Sequence, residues 1–420
     1  MKLVVVGGGS TYTPELVDGV ARLADSLPVS ELVLVDPDEH RLERVGGVSS
    51  RIMAAYGHPA PVRGTTDLDD GLDGAGAVLL QLRVGGQAAR HRDETWPLAC
   101  GCIGQETTGA GGLAKALRTV PIVLDIAERA RKLAEPNAWI VDFTNPVGIV
   151  TRALLDAGHR AVGLCNVAIG FQRTFAARLG VEPERISLGH VGLNHLTWER
   201  AVYLDGKDVL PELLASDGDD IAAHIGLPVD VIRKLGVVPS YYLRYYWAHD
   251  LVVDEQRGEP TRAEVVAGYE KELLDMYADP ALDHKPELLS KRGGAFYSEA
   301  AVNLLASLTA DTGDTQVVNL RNNGTLPFLD DDAVIEVPAT IGADGPVALP
   351  IDPVEPLYRG LIAHVTAYEE LAVATAVDGS RDKLFRTLLA HPLVGQIDIA
   401  EKLTDRLIAE NHAHLPWATS

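Results

Sequence analysis

Residues 1–36 of the chain read MKLVVVGGGSTYTPELVDGVARLADSLPVSELVLVD, and this stretch decides the fold. The compact apolar run Leu3–Val6 is typical of a strand that is buried on both faces. A glycine turn follows, and a helix opens at Thr13, with proline in its first turn, where a missing N–H costs nothing. A second apolar run, Leu32–Val35, ends in Asp36. Strand, glycine turn, helix, strand and acidic residue in this order predict a dinucleotide-binding unit.

The same stretch contains the candidate cofactor contacts. Backbone N–H groups of the turn can approach a pyrophosphate at the helix N-terminus, which gives four candidate residues: Gly7, Gly9, Ser10 and Thr11. Asp36 can accept hydrogen bonds from ribose hydroxyls, and its charge favours NAD over NADP. Tyr12 stands where the usual third glycine would be. A glycine-rich β–α turn in another kind of parallel sheet is therefore the alternative.

Further apolar runs extend the strand–helix alternation. Strands are predicted over Ala77–Leu82, Trp139–Phe143 and Arg160–Leu164, and a long helix is predicted over about Leu113–Leu133. The three strands lead into Arg83, Asn145 and Cys165 respectively. In open α/β sheets ligands bind just beyond the carboxyl ends of the strands. We therefore expect these three residues at one binding site.

A thiol and an imidazole suggest a metal site near this edge. The apolar run Ile186–Leu193 leads to Asn194 and His195, so Cys165 and His195 each follow a predicted strand. Both side chains can bind a metal, and their softness alone would favour zinc. A buried free cysteine and a hydrogen-bonded histidine are the alternative interpretation.

The pattern changes beyond residue 198. A dense aromatic stretch, Pro239–Trp247, is also compatible with an amphipathic core helix. Helices are predicted over Thr261–Tyr277 and Phe296–Leu308, and the Asn323-Gly324 turn separates two short predicted strands. Three helices, near 353–376, 380–390 and 396–410, close the chain. We predict an N-terminal Rossmann-like, doubly wound parallel sheet over residues 1–198, then an α+β substrate and oligomerisation domain over residues 199–420 that completes the active site.

Composition excludes several classes of partner. The 420 residues carry a net charge of −22, spread along the chain, which argues against nucleic acid because phosphate binding requires clustered basic residues. Three cysteines are too few for a disulfide framework. No window approaches 18 consecutive apolar residues, so no membrane association is expected. Free thiols and the absence of a signal-peptide pattern predict a cytoplasmic protein.

Six motifs, in order, resemble those of family 4 glycoside hydrolases. They are Gly7-Gly8-Gly9-Ser10-Thr11-Tyr12-Thr13-Pro14, Gly104-Gln105-Glu106-Thr107, Asn145-Pro146, Cys165-Asn166, Gly192-Leu193-Asn194-His195 and the aromatic stretch from Pro239 to Tyr246. Enzymes of this family use NAD and a divalent metal, and they are exceptions to two-carboxylate glycoside hydrolysis. The resemblance runs from residue 1 at least to the glycines at 293–294.

The resemblance implies roles for particular residues. Cys165 and His195 are implied as ligands of Mn²⁺ or another divalent metal, with sugar oxygens completing the shell. Tyr242 is implied as the base, with Tyr241 as its alternate, and Glu106 as its neighbour. The remaining implied contacts are Arg83 beside the cofactor, and Arg90, Asn145 and Arg262 on the substrate.

The residue after the metal cysteine indicates a branch of the family. Relatives acting on 6-phospho-α-glucosides have Cys-Asp there, and the aspartate is their acid. Asn166 cannot serve as a carboxylic acid, and the Cys-Asn pair resembles the 6-phospho-β-glucosidase branch.

The implied function is NAD- and Mn²⁺-dependent hydrolysis of 6-phospho-β-glucosides by transient C3 oxidation, C2 deprotonation and elimination of the aglycone. The substrate would be a phosphorylated disaccharide or β-glucoside, and the protein a homodimer or homotetramer. An α-linked or unphosphorylated glycoside is an alternative substrate. An NAD-dependent lactate- or malate-type dehydrogenase and a non-catalytic nucleotide-binding protein are alternative functions.

Overall fold

The computed structural model describes residues 1–294 and 296–419, whose strands form one 13-stranded sheet. The strands are β1 Lys2–Val6, β2 Glu31–Val35, β3 Val62–Thr65, β4 Ala77–Leu80, β5 Trp139–Asp142, β6 Ala161–Gly163, β7 Ile186–Leu193, β8 Leu196–Leu204, β9 Lys207–Asp208, β10 Val238–Pro239, β11 Asp314–Arg321, β12 Val334–Gly342 and β13 Gly345–Ala348.

The first six strands confirm the predicted Rossmann-like half. They are parallel and lie in the order β3-β2-β1-β4-β5-β6. This is the strand order of a doubly wound dinucleotide-binding sheet. The side chains of Leu3, Val4 and Val5 in β1 are completely buried, as expected for a strand covered on both faces. The carboxyl ends of these strands therefore meet at one edge.

The same sheet continues into antiparallel strands from later in the chain. Next to β6 the order is β11, β12, β7, β8 and β10, so the hairpin of β11 and β12 lies between β6 and β7. Asn319 of β11 is in register with Gly163, and Glu336 of β12 is in register with Gly192. The division of the chain at residue 198 stays a prediction, and the sheet runs across it.

Helices cover the sheet on both faces. They are α1 Thr13–Arg22, α2 Glu39–Ala55, α3 Leu68–Leu72, α4 Gly86–Thr95, α5 Gly109–Leu133, α6 Val147–Asp156, α7 Val167–Leu179, α8 Leu210–Ser216, α9 Gly218–Ile225, α10 Val229–Leu235, α11 Leu243–Trp247, α12 His249–Gly258, α13 Arg262–Tyr277, α14 Leu288–Arg292, α15 Tyr297–Ala310, α16 Pro356–Val377, α17 Arg381–Ala390 and α18 Ile397–Asn411. Within the described residues we find no helix that is both long and apolar enough to cross a bilayer.

Helix α4 is an element that hydrophobic periodicity does not predict. Its buried residues are Ala89, Asp93 and Glu94, so its inner face is largely charged rather than apolar. The Asp93 carboxylate accepts hydrogen bonds from both terminal nitrogens of Arg118 in α5, at 2.5 and 3.0 Å. Ion pairs therefore replace the apolar stripe that normally marks a helix in a sequence.

Candidate active site

A polar cavity of about 690 Å³ lies at the carboxyl edge of the parallel strands. Among its lining residues are eleven that the sequence predicts as site residues: Gly7, Ser10, Asp36, Arg83, Arg90, Glu106, Asn145, Asn166, His195, Tyr242 and Arg262. Three other predicted residues, Gly9, Thr11 and Cys165, do not line this cavity; Gly9 and Thr11 belong to the glycine turn and Cys165 follows β6. The structure thus brings the predicted residues of both halves of the chain to one place.

The glycine turn has the shape that its sequence requires. Gly7 has φ +86°, and an added Cβ would lie 2.7 Å from the carbonyl oxygen of Gln81. The Asp36 carboxylate accepts hydrogen bonds from the N–H groups of Gly9 and Asp38, each at 3.0 Å. Asp36 therefore both holds the turn and lines the cavity, where the ribose is predicted to bind.

Sequence reasoning did not identify Arg292 and Glu270 as part of this region. Arg292 donates to the hydroxyl of Thr11 at 2.7 Å, and its guanidinium lies 3.1 Å from the Glu270 carboxylate. Gln87 also donates to Glu270, at 3.1 Å. Arg292, Glu270 and Gln87 line the cavity, whereas Thr11 does not. The available signal was the Ser290-Lys291-Arg292-Gly293-Gly294 motif, a basic run ending in glycines.

A buried carboxylate, Glu106, gathers three cationic side chains beside the cavity. Its oxygens pair with Arg83, with Lys115 at 2.7 Å and with Arg90 at 3.2 Å. Burial alone would raise the pKa of Glu106, but these three positive charges hold it well below its usual value. Burial lowers the pKa of Lys115 to about 8. Lys115 was also missed, although a lysine on the apolar helix α5 is itself an unusual feature.

Tyr242 is a neighbour of Glu106 in this ion cluster and of the predicted metal ligands. Its ring stacks on the imidazole of His195, with centroids 3.8 Å apart and planes 10° from parallel. Burial, and next the neighbouring Cys165, Tyr245 and Glu106, raise the pKa of Tyr242 well above 10. The alternate, Tyr241, is 42% exposed. Of the two tyrosines, Tyr242 is the one that lines the cavity.

Both predicted metal ligands are neighbours of Tyr242, because its ring stacks on His195 and the Cys165 thiol acts on its pKa. The Cys165 thiol is buried, and its pKa is raised by burial and then by the charge of Glu336, against the polar groups of Tyr297 and Asn194. His195 occupies the turn between β7 and β8, and burial lowers its pKa to about 4. Its Nδ1 atom is buried and has no hydrogen-bond partner among the described residues.

This arrangement fits a metal with two protein ligands. A neutral imidazole with a buried, unpaired nitrogen and a nearby thiol form a suitable donor set for a divalent cation. Within residues 1–294 and 296–419 there is no group of three or more histidine, cysteine, aspartate or glutamate side chains placed to hold a metal ion. Further ligands would therefore have to come from a bound molecule or from water.

The predicted substrate contacts occupy different parts of the cavity. Asn145 has a buried side-chain oxygen without a partner among the described residues. Arg90 forms ion pairs with Glu94, at 2.7 Å, and with Glu106. Arg262 is exposed and donates to the main-chain oxygens of residues 291 and 292. Asn166, at the start of α7, lines the cavity. It stands at the position where the 6-phospho-α-glucoside branch is expected to have its acid.

Fold and site together define a dinucleotide-binding α/β protein with a polar cavity at the carboxyl edge of its sheet. Residues 2–181 match the model of family 4 glycosyl hydrolases, and residues 190–394 match the model of the family 4 glycosyl hydrolase C-terminal domain. The chain therefore belongs to the family 4 glycosyl hydrolases, which confirms the resemblance found in its motifs.

Individual relatives are similar over nearly the whole chain. A probable 6-phospho-beta-glucosidase of Bacillus subtilis is 40% identical, with 99% of this chain and 97% of the relative covered. The 6-phospho-beta-glucosidase of Escherichia coli is 35% identical, with 99% and 96% covered. The 6-phospho-beta glucosidase from Thermotoga maritima, solved with manganese, NAD⁺ and glucose-6-phosphate, is 31% identical with a TM-score of 0.92, and 99% of each chain is covered.

Proposed function

We propose that this glycoside hydrolase cleaves 6-phospho-β-glucosides with the help of bound NAD and Mn²⁺. One observation carries the proposal: the Tyr242 ring is stacked on His195 in a cavity that also receives the glycine turn. The similarity to 6-phospho-beta-glucosidases over the full chain supports the substrate class. We expect the active form to be a homodimer or homotetramer.

In this proposal the chain brings three groups to one sugar ring. The glycine turn and Asp36 hold NAD, which supplies a reversible hydride acceptor for the sugar's C3. Cys165 and His195 hold Mn²⁺, which supplies a positive charge beside the sugar oxygens. The C2 proton becomes acidic enough for removal only while C3 is a ketone.

Tyr242 is the residue proposed to take the C2 proton. Because burial raises its pKa, the phenol keeps its own proton in the free enzyme. A base with this pKa works only where neighbouring positive charge stabilises the phenolate. One of the cations gathered on Glu106, Arg90, interacts electrostatically with Tyr242, and the Tyr242 ring stacks on His195, a proposed metal ligand.

Two arginines are proposed to bind the substrate phosphate. Arg90 is 12% exposed and is already held by two carboxylates, so it can present one face of its guanidinium without losing its position. Arg262 begins helix α13 at the rim of the cavity. Asn145, with its free side-chain oxygen, is proposed to contact a sugar hydroxyl.

The proposal is tested with a chromogenic 6-phospho-β-glucoside, its α-linked counterpart and its unphosphorylated counterpart, each with and without Mn²⁺ and NAD. We expect release of the chromophore from the phosphorylated β-glucoside alone, only with both additions, and without net NADH formation. In deuterated water the released sugar should carry deuterium at C2.

The alternatives give different results in the same assay. Stoichiometric NADH without chromophore release would indicate a dehydrogenase, and NAD binding without any turnover a nucleotide-binding protein. Cleavage with complete retention of the C2 hydrogen would exclude elimination. Equal rates on the unphosphorylated glucoside would remove the proposed roles of Arg90 and Arg262.

A further inference from the structure

The two proposed metal ligands come from strands that are not neighbours. Cys165 follows β6, and His195 lies in the turn after β7, while β11 and β12 run between these two strands. The distance between the thiol and the imidazole therefore depends on residues of the hairpin formed by β11 and β12.

A buried hydrogen-bond network crosses four adjacent strands at this point. The Nδ1 atom of His190 in β7 lies 2.6 Å from Oε1 of Glu199 in β8. The Nε2 atom of the same ring lies 3.1 Å from Oε1 of Glu336 in β12. Glu336 Oε2 accepts from the side-chain amides of Asn319 at 2.9 Å and Asn194 at 3.1 Å. The first four of these side chains are at most 1% exposed.

Glu336 is the member of the network that reaches the proposed metal site. Asn194, which it holds, immediately precedes His195, and its side chain is one of the polar groups that lower the pKa of the Cys165 thiol. The charge of Glu336 also acts on both Cys165 and His195. Glu199, in contrast, bonds to the far side of His190.

The network carries negative charge into the core. Burial opposes ionisation of Glu336, but its hydrogen bond to His190 and the charge of His190 lower its pKa. Burial likewise opposes protonation of His190, but Glu199 and Glu336 together raise its pKa to about 10. Protonated His190 therefore favours the ionised form of Glu336.

We propose that Glu336 is a positioning residue for the metal site. It holds Asn194 in the orientation that fixes the thiol relative to His195, and it adds a fixed negative charge that favours a divalent cation between the two ligands. Partners of this kind behind a metal ligand commonly set its orientation and basicity. The inference rests on the proposed function, since it takes Cys165 and His195 to be the ligands.

The test titrates the full-length protein with Mn²⁺ alone and follows the electron paramagnetic resonance signal of the free ion. Three variants are compared with the wild type: Glu336→Gln, its matched control Glu199→Gln, and Cys165→Ser. Glu199→Gln removes the same charge from the same network, but Glu199 has no bond to Asn194. NAD affinity is measured for every variant as a readout of the intact fold.

We expect Glu336→Gln to weaken Mn²⁺ binding by about 10- to 100-fold. Glu199→Gln should weaken it less than about threefold. Neither change should alter NAD affinity, because four strands separate β12 from β1, which leads into the glycine turn. With Co²⁺ in place of Mn²⁺, the thiolate charge-transfer absorption should require a higher metal concentration in Glu336→Gln only.

The double variant Asn194→Asp with Glu336→Gln reverses the hydrogen bond between positions 194 and 336, so that the glutamine amide donates to the aspartate. The net charge is unchanged. It should regain most of the lost Mn²⁺ affinity, which also serves as the test if Glu336→Gln alone folds poorly. Unchanged Mn²⁺ affinity in Glu336→Gln, or equal losses in Glu336→Gln and Glu199→Gln, would overturn the positioning role alone. Wild-type Mn²⁺ affinity in Cys165→Ser would instead overturn the proposed metal site.

Discussion

At the scale of single residues, the site depends on carboxylates that are buried together with their counter-ions. Glu106 shows this most clearly, because one carboxylate serves Arg83, Arg90 and Lys115. Removing one partner of a buried ion pair leaves an uncompensated charge and costs far more than losing an exposed pair. Glu106 thus stabilises the fold as well as the surroundings of Tyr242.

We expect Glu106→Gln to lower the free energy of unfolding by about 3 kcal/mol, because the buried Lys115 and the partly buried Arg83 and Arg90 lose their shared anion. The control is Asp69→Asn. Asp69 pairs with Arg129 at 2.6 Å, but its side chain is 55% exposed, so the loss of stability should be much smaller than that of Glu106→Gln. Urea denaturation of both variants measures the difference. Equal losses would mean that the cations around Glu106 are neutralised in another way.

Most of the predicted site residues could be found from sequence because they follow strands or stand in dense motifs. Arg83, Asn145 and Cys165 each follow a parallel strand, and the glycine turn marks the cofactor end. The sequence did not identify Lys115 and Arg292 as site residues. Their place in the site follows from tertiary contacts, with Glu106 and Thr11 respectively, that no local pattern shows. A lysine on a helix gives no sign of which carboxylate it will meet.

At the scale of elements, helix α16 brings another buried carboxylate into contact with α6. Glu369 is 5% exposed, and one of its oxygens has no partner among the described residues. A Cβ on Gly148 of α6 would lie 2.7 Å from its other oxygen, so the two helices are in close contact there. Burial, and to a smaller extent the charge of Glu336, raise the pKa of Glu369 to about 8, against the opposing charge of Arg152.

The raised pKa of Glu369 sets a pH dependence of stability. Between pH 4.5 and about 8 the folded protein keeps a proton that the unfolded chain has released, so the free energy of unfolding falls as the pH rises through this window. Glu369→Gln removes that loss. We expect the variant to be more stable than wild type at pH 8, by an amount on the order of 4 kcal/mol, and nearly equal to it at pH 4.5.

Glu370→Gln is the matched control for this experiment, since the neighbouring side chain is 64% exposed. Its unfolding free energy should follow the wild-type pH profile. Denaturant titrations at several pH values measure all three proteins. A profile for Glu369→Gln that runs parallel to the wild type would show that Glu369 titrates normally in the fold.

The elements also show where sequence patterns stop being informative. The strands β1, β2, β4, β5 and β6 are predicted because parallel strands read as continuous apolar runs. The pattern also indicates β11 and β12 as strands, but it does not indicate their place between β6 and β7. Pairing across more than a hundred residues depends on which edges are left free by the rest of the fold, and local sequence does not encode that.

At the scale of the whole molecule, the two predicted halves share one sheet and one cavity. The hairpin of β11 and β12 completes the sheet between β6 and β7, and Arg292 from the second half donates to Thr11 in the glycine turn. Tyr277 likewise donates to the main-chain oxygen of Thr11, at 2.7 Å. A ligand in the cavity therefore contacts groups that belong to both halves.

This continuity leads us to expect a single unfolding transition that NAD shifts as a whole. A ligand that binds only the folded state stabilises it by about 2.7 kcal/mol at a concentration 100 times its dissociation constant. Scanning calorimetry should show one heat-absorption peak, moved to higher temperature by NAD and less by NADP, whose extra phosphate would meet Asp36. Two peaks, with only one of them moved by NAD, would mean that residues 1–198 and 199–420 unfold separately in spite of their common sheet. In that case the contacts of Arg292 and Tyr277 with Thr11 would be too weak to couple the two parts.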